Sequence, residues 1–260
     1  MSGHSVFVTG ANGYLGCRLM PALLARGHRV TALVRPGRES VLPGGCRVLT
    51  GDALDPASFQ DGLGDADTLV HLVGVAHPSP AKAAAFREVD LASLRAAVAA
   101  ARHAGVKHFV YLSVAQPAPL MHAYLAARAE GEALLGASGI TGTILRPWYV
   151  LGPGHRWPLA LLPLYWLAER LPATRETAQR LGLVSIEQML SAPVGPRRPG
   201  HPPSDLAILT QKRSLFSANA TVDRKFWPKT KFLAGSAHGP PQPGAGLIDG
   251  NRQQQHGDDH

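Results

Sequence analysis

Short apolar runs alternate with helix-like patterns through the first 192 residues of this 260-residue chain. Six runs of five or six mostly apolar residues predict strands at 5–9, 29–34, 46–50, 68–73, 108–113 and 141–145. Strands of this kind are typical of a parallel sheet that is buried on both faces. Helical periodicity fills the intervening segments 14–26, 57–63, 81–103 and 123–137. The alternation predicts an α/β fold, a doubly wound parallel sheet with helices on both faces.

The pattern changes beyond the sixth predicted strand. Residues 158–170 are apolar enough for a helix packed into the core, and residues 185–191 begin with a capping-box spacing. From Pro193 the periodicity ends, and nine of the 22 prolines fall in the last 68 residues. We therefore expect a domain at 1–192 and a Pro-rich tail at 193–260, largely unstructured from about residue 196. A basic interaction tail is the alternative interpretation of that segment.

A glycine-rich turn, T-G-A-N-G-Y-L-G at residues 9–16, joins the first predicted strand to the first helix. Gly10 permits a tight turn, Gly13 lets backbone N–H groups approach a pyrophosphate, and Gly16 lets the helix pack closely on the sheet. The helix N-terminus then offers unpaired N–H groups to phosphate. An ordinary glycine-rich loop is the alternative. The predicted cofactor-lining residues of this turn are Gly10, Asn12, Gly13, Tyr14, Leu15 and Gly16.

Composition narrows the class of protein further. The net charge is +8 at pH 7, but no basic stripe is interleaved with aromatic residues, so we expect no nucleic-acid partner. Cys17 and Cys46 are interpreted as reduced thiols, and the twelve histidines lack ligand spacing, so no metal site is predicted. There is no secretory signal pattern and no apolar run of about 20 residues. We expect a cytoplasmic protein without a transmembrane segment.

Several separate motifs make residues 5–192 resemble the short-chain dehydrogenase/reductase superfamily in its extended or atypical branch. They are the G-x-x-G-x-x-G turn, Gly51-Asp52 after the third strand, Gly74 after the fourth, Ser113 ending the fifth, Tyr124 four residues before Arg128, and L-R-P-W-Y-V-L-G-P-G at 145–154. Within that superfamily the chain is most similar to the group of NmrA-like regulators and the nucleotide-binding accessory subunit of respiratory complex I. The resemblance implies a Rossmann sheet that binds a nicotinamide dinucleotide cofactor.

The end of the second strand bears on which dinucleotide is bound. NAD-selective folds of this kind usually carry an acidic residue there for the ribose 2′-OH, and this chain carries Arg35 and Arg38 instead. Guanidinium groups match phosphate oxygens in a bidentate way. NADP(H) is therefore the favoured cofactor. The alternative is NAD(H), in which case Arg35 and Arg38 are solvated loop residues.

The resemblance also implies roles for polar and small residues near the carboxyl ends of other strands. Asp52 resembles the residue that meets the adenine, and a simple turn residue is the alternative. Val73 and Gly74 would lie under the ribose near the nicotinamide, where a small residue allows backbone approach. Asp90 stands where the family tends to have a polar residue supporting the sheet, or else it is a solvated acid near a helix start.

The candidate catalytic residues are Ser113, Tyr124 and Arg128. In active family members a tyrosine hydroxyl exchanges the proton as hydride moves, a serine polarises the carbonyl, and a lysine four residues after the tyrosine supports it. A spacing of four places both side chains on one helix face. Arg128 replaces the lysine here and supplies charge without the compact ammonium geometry.

Two function classes follow. The first is an NADP(H)-dependent oxidoreductase or epimerase-like enzyme on an unknown small-molecule substrate, with Tyr124 as acid/base, Ser113 as carbonyl polariser and Arg128 as electrostatic partner. The second is a nucleotide-sensing or accessory subunit that binds the dinucleotide without turnover. Because the segment after residue 192 lacks a pattern that could complete the family's substrate lobe, we expect that lobe to be incomplete.

Overall fold

The computed structural model describes residues 3–39, 42–116, 118, 120–152, 160, 162–180, 183–185 and 206–209. Seven parallel strands form the main sheet in the order β3-β2-β1-β4-β5-β6-β9. Apart from its last strand, this is the order of a Rossmann fold, which reverses direction beside β1. The predicted fold class is confirmed. The strands are β1 Ser5–Thr9, β2 Arg29–Val34, β3 Arg47–Thr50, β4 Thr68–His71, β5 His108–Leu112, β6 Thr141–Leu145 and β9 Leu206–Leu209.

Alternation along the strands builds a core on each face of the sheet. On β1, Val6 and Val8 pack into a cluster with Leu19 and Met20 of helix α1 (Gly16–Ala25). Phe7 points to the opposite face, into a cluster that includes residues of α3 (Ala92–His103) and α4 (His122–Gly136). Helices therefore cover both faces, and the carboxyl ends of the strands are left to meet at one edge of the sheet.

The helical region predicted at 81–103 is divided into four pieces. A 3₁₀ turn at Pro80–Lys82 leads into the short helix α2 (Ala83–Ala85), then a π-helical segment at Phe86–Leu91, and then α3. π-Helical turns are rare and occur frequently at functional sites. The predicted helix at 57–63 is replaced by two 3₁₀ turns, Pro56–Ser58 and Gln60–Leu63.

The segment after β6 differs most from the sequence-based expectations. Strands β7 (Tyr149–Leu151) and β8 (Leu183–Ser185) form a separate parallel pair, and α5 (Leu162–Arg170) is followed by α6 (Pro172–Arg180). The expectation that the apolar stretch at 158–170 packs into the core is wrong for Leu164 and Leu167, which are 64% and 51% exposed. Ser185 lies in a strand, and the rest of the helix predicted at 185–191 lies outside the described residues.

Strand β9 lies within the segment that is expected to be largely unstructured from about residue 196. Residues Leu206–Leu209 pair in parallel with β6, with Gly142 opposite Leu206 and Leu145 opposite Leu209. The L-A-I-L run is a short apolar segment suited to the open edge of a sheet. The tail at 193–260 and the domain boundary near residue 192 stay predictions. Within the described ranges, every helix is too short or too polar to cross a bilayer.

Candidate nicotinamide dinucleotide site

The glycine-rich turn lies between β1 and α1, and its glycines are required by the backbone around them. Gly10 has φ +74°, and a Cβ there would lie 2.8 Å from the Leu72 carbonyl carbon on the neighbouring strand connection. A Cβ at Gly16 would lie 2.3 Å from the Ala11 carbonyl oxygen. Contacts this short cannot be relieved by moving a flexible side chain, because the obstacles are main-chain atoms. The turn therefore keeps its shape only with glycine at both positions.

The start of α1 is open toward a ligand. Leu15 occupies the N-cap position without a capping side-chain hydrogen bond, and no acidic residue lies in the first turn. Gly13 is exposed and Asn12 is partly exposed. The Tyr14 ring lies under the Arg18 guanidinium, whose Cζ is 4.0 Å from the ring centroid. A bare helix N-terminus behind a glycine-lined turn fits the pyrophosphate of a dinucleotide.

The two arginines of the predicted 2′-phosphate site lie at the ends of one tight turn after β2. Arg38 N–H donates to the Arg35 carbonyl over 3.2 Å, and Gly37 between them has φ +77°. Both arginines are exposed. In the described part of the chain, neither guanidinium makes an ion pair or hydrogen bond. The structure thus brings Arg35 and Arg38 together as two available cations.

Asp52 follows β3, two strands from β1 in the sheet, and it is exposed. Its Oδ1 accepts the Leu54 N–H over 3.0 Å, and its own N–H donates to Ser58 Oγ over 2.9 Å. These contacts hold a local turn in which one carboxylate oxygen is used by the backbone. Asp52 therefore shapes the loop, and its predicted role toward the adenine stays a prediction.

The loop after β4 rests on a buried ion pair. Arg128 Nη2 is 2.5 Å from Asp90 Oδ1, and the two side chains are 5% and 1% exposed. Asp90 Oδ2 accepts the Val75 N–H over 2.9 Å, and Arg128 Nη1 donates to the Leu112 carbonyl over 2.7 Å. A Cβ at Gly74 would lie 2.5 Å from Arg128 Nη2. The guanidinium therefore fills the space directly beside Gly74. It connects α4 to the π-helical segment and to the end of β5.

Burial and pairing act in opposite directions on this pair. Burial raises the pKa of Asp90, and the Arg128 charge and the Val75 N–H hold that rise back. Burial lowers the pKa of Arg128, but nearby Tyr124, Tyr111 and Asp90 outweigh it, so its pKa is raised. The guanidinium stays charged at neutral pH, and among the described residues the Asp90 carboxylate is the one that compensates its charge at hydrogen-bonding distance. Its Nε is buried without a hydrogen-bond partner among the described residues.

Tyr124 lies in the first turn of α4, where its ring packs between two neighbours. The Phe86 ring centroid of the π-helical segment is 5.1 Å from that of Tyr124, and Arg128 Cζ is 5.1 Å from the Tyr124 centroid. The residue is half-buried. In the described part of the chain, nothing hydrogen-bonds the Tyr124 hydroxyl. The ring is thus fixed by packing while its hydroxyl is left available.

Ser113 belongs to a second buried network that the sequence analysis missed. Its Oγ donates to Glu132 Oε1 over 2.5 Å, and Arg146 donates to both carboxylate oxygens of Glu132. Gln116 Nε2 donates to the same Glu132 Oε1 over 3.3 Å. The network joins α4 to the carboxyl ends of β5 and β6. The available signal was spacing, because Tyr124, Arg128 and Glu132 follow one another at intervals of four on one helix face.

His71 of β4 is a buried neutral side chain behind the glycine-rich turn. Its Nδ1 is 2.8 Å from Thr9 Oγ1 and its Nε2 is 3.4 Å from Ser93 Oγ. Burial and, to a lesser extent, the Arg128 charge lower the pKa of His71 to about 3. The histidine therefore links β1 to α3 through hydroxyl groups. No cluster of three or more metal-ligating side chains occurs in the portion of the chain that the structure describes.

The fold and the glycine-rich turn together define a nucleotide-binding Rossmann domain. Comparison with known families identifies the kind of nucleotide. Residues 10–155 match the NAD(P)H-binding family. The chain belongs to this family, within the atypical part of the short-chain dehydrogenase/reductase superfamily. Its cofactor is a nicotinamide dinucleotide, as the resemblance implied.

Curated relatives include two reductases. A ceramide reductase from Caulobacter vibrioides is 31% identical over 186 residues, which cover 70% of this chain and 57% of that protein. A 3-diazoavenalumate denitrifying reductase from a Streptomyces species is 33% identical over 178 residues, 57% of each protein. The chain thus spans little more than half the length of these relatives.

Solved structures resemble the fold at low sequence identity. The enzyme WbmG from Bordetella bronchiseptica, in complex with NAD, is 21% identical with a TM-score of 0.57, over 82% of this chain and 74% of that one. A UDP-galactose 4-epimerase is 17% identical with a TM-score of 0.56, over 72% and 70%. These similarities show a common fold.

Proposed function

We propose that this protein is an NADP(H)-dependent reductase that acts on a carbonyl group of a lipophilic small molecule. Tyr124 supplies the proton in this reaction. The observation that carries the proposal is the Tyr124 ring, which is held between Phe86 and Arg128, while its hydroxyl hydrogen-bonds to none of the described residues. A proton donor of this kind must be fixed in position and free to reach the reacting oxygen.

The cofactor preference rests on Arg35 and Arg38. Both guanidiniums are exposed at the ends of one turn, and no described carboxylate neutralises them. A 2′-phosphate would receive two charge-assisted hydrogen-bonding groups there, whereas a 2′-hydroxyl would gain much less. NADP(H) is therefore the proposed cofactor, and the turn of Gly10, Gly13 and Gly16 would hold its pyrophosphate.

The substrate class is inferred from the relatives and from α5. Two relatives carry lipophilic compounds in their names, a ceramide reductase and a ketoreductase of a farnesyl-bearing dihydroquinoline oxide from Stigmatella aurantiaca. In this chain α5 exposes Leu164, Trp166 and Leu167, with Arg170 stacked 3.6 Å from the Trp166 ring centroid. An apolar helix surface in the segment after β6 is consistent with a lipophilic substrate.

The proposed chemistry divides between cofactor and protein. When bound, the dinucleotide supplies the hydride. The Tyr124 hydroxyl donates its proton to the carbonyl oxygen as charge develops there, and the Arg128 guanidinium beside the ring stabilises the negative charge left on Tyr124. Ser113 was predicted to polarise the same oxygen, but its single proton is donated to Glu132. We therefore assign Ser113 to the support of α4 and the sheet edge.

A second candidate, binding of the dinucleotide without turnover, is favoured by one observation. Arg128 takes the position of the family's lysine, and its guanidinium is held by Asp90 and the Leu112 carbonyl instead of reaching outward. Such a site could bind the cofactor and signal its presence without chemistry. Arg128 and Ser113 would then be structural residues, as their buried contacts suggest.

The test uses the full chain, NADPH and a panel of long-chain ketones and aldehydes. Turnover is followed by loss of NADPH absorbance, and binding by NADPH fluorescence. We expect Tyr124→Phe to lower kcat by at least about 100-fold with an unchanged Kd for NADPH. Full activity in that variant would contradict the role of Tyr124. Saturable NADPH binding with no turnover on any carbonyl would favour the second candidate.

A further inference from the structure

The turn after β2 is built by its sequence, R-P-G-R at residues 35–38. Pro36 stands at the second position, and Gly37, with φ +77°, stands at the third. This is the residue pattern of a type II turn, closed here by the hydrogen bond from Arg38 N–H to the Arg35 carbonyl. The first and last residues of such a turn lie within about 7 Å of each other. Arg35 and Arg38 are therefore neighbours because of the two residues between them.

Glu39, directly after this turn, folds back onto it. Its Oε1 accepts the Gly37 N–H over 3.1 Å, and Thr50 Oγ1 at the end of β3 contacts the same oxygen at 3.5 Å. Hydrogen bonds from the backbone N–H groups of Glu39 and Gly37 are the main causes that lower the pKa of Glu39. Through this carboxylate the turn after β2 is joined to the neighbouring strand β3.

The direction of the Glu39 carboxylate matters for the two arginines. A glutamate next to Arg38 would ordinarily be a competitor for its guanidinium. In the described ranges, however, Glu39 forms no ion pair, and its carboxylate accepts hydrogen bonds from backbone N–H groups of the turn and from Thr50. The acid therefore stabilises the turn that carries the cations without neutralising them.

We propose that Glu39 is a positioning residue for cofactor specificity, which fixes the R-P-G-R turn so that Arg35 and Arg38 together bind the 2′-phosphate of NADP(H). This inference rests on the proposed NADP(H) preference. An acidic residue after β2 that bound the ribose 2′-hydroxyl would favour NAD(H). Glu39 instead favours NADP(H), because it holds the turn that carries the two arginines. Glu39 acts through the turn and does not contact the cofactor.

The test measures Kd for NADPH and for NADH, by fluorescence, on the full chain and three variants. Glu39→Ala removes the acceptor, whereas Glu39→Gln keeps an amide oxygen for the Gly37 N–H and removes the charge. Glu88→Ala is the matched control, because Glu88 is an exposed acid on the π-helical segment and its removal changes the net charge equally. Circular dichroism confirms that each variant is folded.

We expect Glu39→Ala to raise the Kd for NADPH about tenfold and to leave the Kd for NADH within about twofold, with Glu39→Gln close to the wild type. Unchanged or tighter NADPH binding by Glu39→Ala would overturn the inference, because the acid would then be neutral or repulsive toward the phosphate. Equal weakening of both cofactors would also overturn it. If the wild type itself binds the two cofactors equally, the proposed preference fails and this inference fails with it.

Discussion

The Asp90–Arg128 pair provides the sharpest test of how this domain is held together. Its two side chains come from the π-helical segment and from α4, and they are 1% and 5% exposed. We consider Asp90→Asn, Arg128→Met and the double variant. Asparagine keeps an oxygen for the Val75 N–H, and methionine keeps most of the apolar volume of the arginine stem. Each single change therefore removes charge with little change in shape.

The expected magnitude follows from burial. Removing one partner of a buried ion pair leaves an uncompensated charge and costs about 3–5 kcal/mol. Asp90→Asn leaves the buried Arg128 guanidinium without its carboxylate partner, and its other hydrogen bonds to described residues are to the Leu112 carbonyl and the Tyr111 hydroxyl. Arg128→Met leaves the Asp90 carboxylate with the Val75 N–H. The double variant buries no unpaired charge, so we expect its loss to fall below the sum of the single losses by at least about 2 kcal/mol.

Urea unfolding followed by far-UV circular dichroism measures these free energies. The control is Asp65→Asn, because the Arg29–Asp65 pair has a similar distance, 2.7 Å, but side chains 71% and 81% exposed. A surface pair of this kind contributes about 0–1 kcal/mol. An Asp90→Asn variant that loses no more stability than Asp65→Asn, or single losses at the buried pair that simply add in the double variant, would show that Asp90 and Arg128 are not coupled as a buried ion pair.

Three further predictions use the same assays. Gly16→Ala should abolish NADPH binding or folding, because its Cβ would lie 2.3 Å from the Ala11 carbonyl oxygen. Gly13→Ala is the control and should fold, because its Cβ would lie 3.1 Å from the nearest carbonyl oxygen. Normal NADPH binding by Gly16→Ala would contradict the need for glycine at position 16. His71→Gln should flatten the pH dependence of stability. The pKa of His71 is about 3 in the folded state, whereas the unfolded state binds the extra proton below about pH 6.5. Wild-type stability therefore falls by up to about 1.4 kcal/mol per pH unit as the pH drops from about 6.5 toward 3. An unchanged slope in the variant would refute the assignment of this pH dependence to His71. Ser113→Ala should cost about 1–3 kcal/mol by removing a donor from buried Glu132, and no loss in the urea assay would argue against that network.

The strands and the glycine-rich turn were predictable because the residues that determine them are adjacent in the sequence. β1, β2 and β6 have the predicted bounds, since each is a short apolar run ended by turn residues. The glycine-rich turn was equally readable, because glycine is required by the backbone itself at Gly10 and Gly16. In these strands and in the turn, the residue pattern alone therefore identifies the local structure.

The supports of the site were not predictable, because they depend on contacts between distant residues. Asp90 and Arg128 are separated by 38 positions, and the sequence left Asp90 open between a supporting and a solvated role. Glu132 has the appearance of a surface helix acid in A-E-G-E-A-L-L, yet it is buried with Ser113 and Arg146. The π-helical turn packs Phe86 and Asp90 against α4, and hydrophobic periodicity does not distinguish it from an α-helix.

Thermal unfolding with each cofactor measures whether this chain binds a nicotinamide dinucleotide and whether it prefers NADPH. At 100 times Kd a ligand stabilises the folded state by about 2.7 kcal/mol, which corresponds to a rise in Tm of several degrees for a domain of this size. We predict a saturable rise with NADPH and, at equal concentration, a smaller rise with NADH. No rise with either cofactor would contradict dinucleotide binding by this chain, and an equal rise with both would contradict the roles of Arg35 and Arg38.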